Sequence, residues 1–478
     1  MRSERRILVN AGTLTAGAVV GQLANFAFVA GFARAFGVDY LAQYSIGMSI
    51  GALLAMFVDL GSVALVTRES SRKRGRARML IGILLPLQIP LALLLWAVGV
   101  GVGAWVLGPR ASAVVLACTC GYQILLCLSS LVLAPFIGVE QVAWSAFGTS
   151  AQRGLAVMLG ALAIFAGAGP GATAAALVVS AVALMLVALA AFAQRFGAPR
   201  WRAAPRTAAR LLYGRAGFFG FTMLNVVYSR GGLIVLSLLA SHEAVGLFSV
   251  ADRIMVAPSL LPLVFVNAVY PALSRLANVS VDEVLALTVR CGRLLLVGAI
   301  TLATLVTLLA PDIVTVLFGP SFAPAAAVLQ VLAWTLPVSG TRQLLSVHLL
   351  ALDQRASLVR ARAVSLSVFL ASCPLLILSG LGYRGPAWAQ LLSEMLEVSW
   401  YLWLLHRSGS ATRLIRAMLA PLLAAVTTIV VASVFPPPLP EFPRLITLCL
   451  VMVAALLISG SVRLHDLRFL RQILAPRQ

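Results

Sequence analysis

Residues 79–107 read MLIGILLPLQIPLALLLWAVGVGVGAWVL, a stretch without a single charged side chain. A helix needs about 20 apolar residues to cross roughly 30 Å of hydrocarbon, so this stretch is long enough to span a membrane. Similar runs recur along the whole chain, which has 478 residues, is 61% hydrophobic and is only 11% charged. Soluble domains carry about 25% charged residues. The pattern therefore predicts an all-α, polytopic membrane protein.

The apolar runs predict about fourteen transmembrane helices. We place them at 8–36, 41–66, 79–107, 111–137, 151–168, 171–193, 216–240, 246–274, 293–318, 325–352, 363–381, 386–405, 417–435 and 444–462. We expect no cleavable signal peptide, because the first run is longer than the apolar region of about 7 to 15 residues in such peptides.

The basic residues predict the orientation of these helices. With the N-terminus in the cytoplasm, most of the 36 Lys and Arg residues fall on cytoplasmic segments, including Arg153 after the fourth span and Arg362 before the eleventh. The opposite face carries only Arg34, Arg110, Arg384 and Arg444. This asymmetry follows the positive-inside rule, so we predict cytoplasmic N- and C-termini and a location in the bacterial inner membrane. It also explains the net charge of +21 without a nucleic-acid partner.

Several classes of membrane protein do not fit the sequence. The chain has one lysine, Lys73, and it does not stand in the Gly-Lys-Ser/Thr context of a P-loop. External loops such as 108–110 and 169–171 leave no room for a catalytic domain. The histidines and cysteines are too scattered to predict a metal site, and no cofactor is expected; His348 is either a packed side chain or part of a proton relay. A carrier, a channel or a membrane scaffold remains, and we expect no enzyme.

Two predicted helices carry a polar stripe on one face. The stripes consist of Thr335, Ser339, Arg342 and Ser346 in the tenth span and Gln390, Glu394, Glu397 and Tyr401 in the twelfth. Charged groups are costly in hydrocarbon, so both stripes should face the protein interior. Two interpretations are open. Either Arg342 pairs with a glutamate and links two helices, or Glu394 and Glu397, which repel each other, bind H⁺ or Na⁺ and couple that ion to transport.

Arg230 lies near the middle of the seventh predicted span, close to Asn225. One hypothesis is that it faces a water-filled cavity and binds an anionic group, because a planar guanidinium matches phosphate oxygens. The alternative is a structural ion pair with a carboxylate on another helix. Arg230, Asn225 and Arg342 are therefore the candidate residues for an anionic headgroup.

An internal repeat predicts how the spans are grouped. Residues 37–46 and 243–250 are similar, and each segment precedes a span. This favours two six-helix halves in the same orientation, a plan that recurs among transporters. We predict an N-terminal lobe over 1–215, a C-terminal lobe over 216–405, and two peripheral helices with a cytoplasmic tail over 406–478.

The same segments resemble a known family. The stretch 36–72 contains Gly37, Tyr44, Asp59-Leu60-Gly61 and Thr67-Arg68-Glu69, and it is similar to the N-terminal signature of Wzx-type polysaccharide flippases. Later matches include 245–254, 270–275 and Leu317-Phe318-Gly319. These flippases belong to the multidrug/oligosaccharidyl-lipid/polysaccharide (MOP) exporter superfamily. The resemblance implies two six-helix lobes around a central cavity and two peripheral helices.

The resemblance also implies a function. A member of this family is expected to move an undecaprenyl-diphosphate-linked oligosaccharide across the inner membrane by alternating access, for surface polysaccharide or exopolysaccharide biosynthesis. Its expected partners are that lipid-linked oligosaccharide, membrane lipids, a polysaccharide polymerase or co-polymerase, and H⁺ or Na⁺. The alternatives are a multidrug and toxin extrusion-type cation antiporter, a lipid II flippase, and a membrane scaffold of a polysaccharide assembly complex.

Overall fold

The computed structural model describes residues 2–199, 201, 216–277 and 279–406. This part of the chain is almost entirely helical. We number its α-helices α1 Arg2–Asp59, α2 Ser62–Arg72, α3 Arg76–Leu107, α4 Ala113–Gly138, α5 Val142–Phe165, α6 Pro170–Phe196, α7 Ala216–Leu239, α8 His242–Leu276, α9 Val281–Phe318, α10 Ala326–Ala333, α11 Thr335–Ala351, α12 Arg355–Leu376 and α13 Gly385–His406. Short 3₁₀ turns lie at Gly108–Arg110, Pro320–Ala325 and Gly382–Arg384, and a π-helical turn lies at Ile377–Leu381.

Within the described residues, nine helical stretches are long and apolar enough to cross a membrane. The stretch Arg355–His406 contains two predicted spans, Val20–Asp59 overlaps two others, and α5 covers most of the fifth predicted span. The all-α, multi-pass prediction is therefore confirmed. The thirteenth and fourteenth spans, 417–435 and 444–462, lie outside the described residues, so the total of fourteen and the cytoplasmic termini stay predictions.

The first two spans are separated by a glycine inside α1. Gly37 has φ 79° and ψ −171°, which breaks the helical path while the chain continues as helix on both sides. A left-handed or extended-positive conformation of this kind strains any residue with a Cβ atom. Gly37 therefore converts one continuous apolar segment into two spans.

The second span ends seven residues before the sequence predicts. Helix α1 stops at Asp59, because Leu60 and Gly61 adopt positive φ angles of 46° and 80°. The Asp59 carboxylate accepts hydrogen bonds from the amides of Gly61 and Val63, at 3.1 and 3.0 Å. These are free amide groups at the start of α2, and an aspartate oxygen is a favoured partner for them. The Asp59-Leu60-Gly61 motif thus ends one helix and starts the next.

Helix packing divides the chain into two compact units, Met1–Ser249 and Val250–Gln478. In the first unit, a core of buried aliphatic side chains from α2, α3, α4 and α6 surrounds residues such as Leu84, Val132 and Phe192. In the second unit, α11, α12 and α13 share a core that includes Leu345, Ala361 and Val398. Helix α7 belongs to the first unit by packing, whereas the predicted lobes divide the chain by span order, and that division stays a prediction.

The two copies of the internal repeat contact each other within the first unit. A Cβ atom on Gly246 would lie 2.5 Å from Val38 Cγ1 and 2.6 Å from the Val38 carbonyl oxygen. Residues 41–50 and 244–250 around this contact are all buried. Only glycine permits so close an approach of the two backbones.

Candidate functional site

A buried cluster of charged side chains joins three helices of the second unit. Its centre is Glu397 of α13, whose Oε2 atom lies 3.1 Å from Nη1 of Arg362 on α12. The hydroxyl of Tyr401 donates a hydrogen bond to the other carboxylate oxygen, Oε1, at 2.9 Å. Nη1 of Arg342 on α11 is 4.0 Å from the same Oε1 atom. The carboxylate of Glu397 is therefore engaged from both of its oxygens.

Helical periodicity explains how this cluster forms. Glu394, Glu397 and Tyr401 are spaced so that they share one face of α13, and all three are buried as the sequence predicts. A second contact fixes α12 against that face, because the Ser365 hydroxyl donates to the Ser393 carbonyl oxygen at 3.0 Å. The Arg342 stripe of α11 also faces the protein interior, as its contact with Glu397 shows.

Glu394 lies one turn before Glu397 but has a different environment. Its side chain is almost completely buried, and its Oε2 atom accepts no hydrogen bond within the described part of the chain. Arg342, Arg362 and Glu397 act electrostatically on Glu394, and Gln390 interacts with it from the preceding turn. The two candidate ion-coupling residues thus differ in their contacts. Both carboxylate oxygens of Glu397 have partners, whereas one carboxyl oxygen of Glu394 accepts no hydrogen bond from the described residues.

Arg362 was not expected in this cluster. The sequence places it in a cytoplasmic segment before the eleventh span, but α12 begins at Arg355 and Arg362 is only 7% exposed. Arg362 therefore lies within a helix and not in a connecting segment, and its position on the cytoplasmic side stays a prediction. A signal was available, because Arg362, Ser365 and Phe369 are spaced as one helical face and all three are buried. Charge alone led to the loop assignment.

Arg153 also lies inside a helix rather than in a cytoplasmic loop. It is near the middle of α5, which begins nine residues earlier than its predicted start within the fifth span. The Ser150 hydroxyl donates to the Gly17 carbonyl oxygen at 2.8 Å, so this part of α5 packs on α1. Next along both helices, a Cβ atom on Gly21 would lie 2.7 Å from Arg153 Nη1. The guanidinium of Arg153 therefore packs directly against the backbone of Gly21, where a side chain would leave no room for it.

The register of these two helices gives the depth of Arg153. Further along, a Cβ atom on Gly160 would contact the Phe28 ring at 2.5 Å, so α1 and α5 run parallel. Gly21 stands near the centre of the first predicted span, 8–36. Arg153 is consequently at a similar depth, far from the ends of both helices.

The remaining candidates for the anionic headgroup are distributed between the units. Asn225 and Arg230 lie on α7 in the first unit, and both are partly exposed. Arg342 lies on α11 in the second unit, where its side chain is 20% exposed. The structure brings Arg342 to Glu397, which matches the interpretation of a link between helices, and it leaves the substrate-binding role of all three residues a prediction.

His348 is a buried, hydrogen-bonded side chain. Its Nδ1 atom is 2.8 Å from the Thr288 hydroxyl oxygen, and that hydroxyl donates to the Val284 carbonyl oxygen at 2.8 Å. The Thr288 hydroxyl therefore connects the His348 ring to the backbone of α9. This geometry fits a packing role between α9 and α11. Among the described residues, no group of three or more His, Cys, Asp and Glu side chains could hold a metal ion.

The chain matches the family described as "Polysaccharide biosynthesis protein" over residues 7–277. This is more than half of its length, so the chain belongs to that family. Among curated proteins, none matches it significantly by sequence.

Solved structures show the fold to which the chain is similar. A lipid II flippase, MurJ, in an inward closed conformation has a TM-score of 0.71 and 14% identity, with 96% of this chain and 100% of that chain covered. An inward-facing multidrug resistance MATE family transporter of the MOP superfamily has a TM-score of 0.59 and 16% identity, with coverage of 82% and 96%. A MOP superfamily transporter from Pyrococcus furiosus has a TM-score of 0.55 and 15% identity, with coverage of 85% and 96%. The chain therefore has the fold of MOP superfamily transporters, in agreement with the predicted resemblance, and it is a multi-pass protein of the inner membrane.

Proposed function

From the chain's membership of the polysaccharide biosynthesis protein family, we propose that it is a flippase for a lipid-linked oligosaccharide. Its substrate is an oligosaccharide on undecaprenyl diphosphate, which it moves from the cytoplasmic to the outer leaflet for surface polysaccharide biosynthesis. It acts by alternating access, without chemical conversion of the substrate. A polysaccharide polymerase or co-polymerase then receives the product.

The observation that carries this proposal is the family match combined with arginines far inside the helices. Arg153 lies beside Gly21, and Arg230 lies near the middle of α7. Intramembrane arginines are costly unless they serve a binding or pairing role. A guanidinium offers several donors in a fixed plane, which suits the oxygens of a diphosphate.

The membrane potential can drive this movement. An elementary charge that crosses the membrane field gains or loses about 2.3 kcal/mol per 100 mV. A diphosphate that leaves an inside-negative cell moves in the favourable direction. Transport of such a substrate therefore needs no ATP-hydrolysing domain.

A multidrug antiporter is the main alternative, because the chain shares its fold with a MATE family transporter. A site for cationic drugs requires acidic groups that are free to bind them. In the second unit, Arg362 and Tyr401 already occupy Glu397, and the guanidinium groups of Arg342 and Arg362 act on Glu394, which disfavours binding of a second cation there. A lipid II flippase would use the same cationic chemistry on a different glycan, and a scaffold would not depend on Arg153 or Arg230.

The decisive experiment is deletion of the gene in a bacterium that makes the glycan, followed by location of the lipid-linked oligosaccharide. We expect it to accumulate in the cytoplasmic leaflet with loss of surface polysaccharide, and wild type but not Arg230→Ala should restore export. Trapped lipid II would support the lipid II flippase. Normal surface polysaccharide with altered sensitivity to cationic drugs would refute the flippase and support the antiporter. Full complementation by Arg230→Ala and Arg153→Gln would support the scaffold.

A further inference from the structure

The second-unit cluster contains equal numbers of opposite charges, and its members are not equally accessible. Arg362, Glu394 and Glu397 are almost fully buried, whereas the side chain of Arg342 is 20% exposed. Arg342 is also the more distant partner of Glu397, at 4.0 Å compared with 3.1 Å for Arg362. Arg362 and Tyr401 can therefore hold Glu397 without help from Arg342.

On the basis of the proposed function, we infer that Arg342 and Glu394 form a linked binding site for an anion and a proton. Arg342 binds a phosphate group of the substrate through its guanidinium donors. Glu394 takes up one proton from water as this occurs, at its unpartnered Oε2 atom. Glu397 takes no part in ion binding and serves to hold α11, α12 and α13 together.

Electrostatics gives the direction of the linkage. When Arg342 turns to a phosphate, the positive charge that compensates the two glutamates decreases. Glu394 has a buried carboxyl oxygen without a hydrogen bond, and an uncompensated charge at a buried site is costly. Protonation removes that charge, so the anion and the proton favour each other's binding. Anion affinity should therefore rise as the pH falls.

The groups that face Glu394 favour a proton over a metal ion. Helix α13 packs against α10, α11 and α12. Helix α11 contributes Arg342, α12 contributes Arg362, α13 itself contributes Gln390 and Glu397, and α10 contains no titratable residue. A sodium ion at Glu394 would lie close to two guanidinium groups, which repel it. A proton adds no ion to the cluster and only neutralises one carboxylate.

The test uses the full chain in lipid nanodiscs and a short-chain prenyl diphosphate that carries N-acetylglucosamine as its second ester. Both phosphates of this probe keep one charge across the neutral pH range, so any pH dependence belongs to the protein. For wild type, we expect affinity to increase as the pH falls, by up to about tenfold per pH unit for one linked proton. Calorimetry in two buffers of different ionisation enthalpy should show proton uptake upon binding.

Variants assign the linkage to individual residues. Glu394→Gln mimics the protonated acid, so it should bind the probe at neutral pH at least as tightly as wild type and lose the pH dependence. Arg342→Gln should lose affinity. Arg230→Gln is the matched control, with weaker binding but an unchanged pH slope. Infrared spectra should show a protonated-carboxyl band upon probe binding to wild type, and this band should be absent in Glu394→Gln.

The outcomes separate this inference from the function on which it rests. Binding that is independent of pH in wild type, or that keeps its pH slope in Glu394→Gln, would overturn the linked site and leave the flippase intact. A wild-type protein that binds no prenyl diphosphate would overturn both. If Glu394→Gln does not fold, the two-buffer calorimetry on wild type decides, because absence of proton uptake contradicts the inference.

Discussion

The two units place arginines inside helices in opposite electrostatic surroundings. In the first unit, Arg153 lies in the middle of α5 against Gly21. In the second unit, Arg362 and Arg342 lie beside Glu397, with Glu394 one turn away. In the first arrangement an arginine packs against glycine, and in the second arginines lie beside glutamates.

This contrast shows that charged residues inside the helices of one membrane protein can have different roles. A buried ion pair whose partners are both present contributes little net stability, but loss of one partner is expensive. Arg153 packs against a glycine and not against a carboxylate, so its removal leaves no buried charge without a partner. We therefore expect substitution of Arg362, the closest partner of Glu397, to affect folding, and substitutions at Arg153 to affect transport.

The largest expected effect is the loss of Arg362. Arg362→Ala leaves Glu397 buried without its nearest cation, which should reduce the free energy of unfolding by about 3–5 kcal/mol. Thermal or denaturant unfolding of the purified protein measures this change. The control Arg360→Ala, at an exposed position of the same helix, should change stability by less than about 0.5 kcal/mol.

A double variant sharpens that prediction. Replacing both partners, in Arg362→Met with Glu397→Leu, removes the charges together and should recover most of the lost stability. Equal stability losses in Arg362→Ala and Arg360→Ala would show that the ion pair does not link the helices.

The second effect concerns transport through the first unit. Arg153→Gln removes a charged donor, and a hydrogen bond to a charged group contributes about 1.5–3 kcal/mol. Flipping of the lipid-linked substrate in proteoliposomes should therefore fall by roughly 10- to 100-fold with unchanged unfolding. Arg153→Lys should retain part of the activity, and Arg195→Gln, at the exposed end of α6, should retain all of it. Normal flipping by Arg153→Gln would exclude a role in substrate binding.

Asp59 extends the comparison to acidic residues. In the first unit this carboxylate accepts hydrogen bonds from the backbone at the start of α2 rather than pairing with an arginine. Asp59→Ala should cost about 1 kcal/mol, as for other lost helix caps, and Asp59→Asn should cost less. Unfolding measurements test this order, and a loss for Asp59→Ala as large as that of Arg362→Ala would contradict it.

The smallest effect is expected at Gly21. A Cβ atom there would lie 2.7 Å from Arg153 Nη1, so Gly21→Ala should push the guanidinium aside at a cost of about 1 kcal/mol. We expect a few-fold loss of flipping. Gly31→Ala is the matched control on the same helix, because its Cβ atom would meet nothing within 4 Å. Equal activities of the two variants would show that the Arg153 position is not critical.

Much of the candidate site follows from helical periodicity. Glu394, Glu397 and Tyr401 share a buried face of α13 as predicted, because their spacing matches the helical repeat. The sequence analysis missed Arg153 and Arg362, because it assigned arginines next to predicted span ends to loops. Helices α5 and α12 begin before the apolar runs do, so both arginines lie inside them.

The sequence by itself determined that this protein is an all-α, multi-pass membrane protein, and it indicated the family. It could do so because the cost of exposing polar backbone and charged side chains to hydrocarbon acts on every span independently of the fold. Only the tertiary structure decided which charges meet. It paired Glu397 with Arg362, left an oxygen of Glu394 without a partner, and set Arg153 against Gly21. Such contacts depend on the register between helices that are distant in sequence, and the periodicity of a single helix does not contain that register.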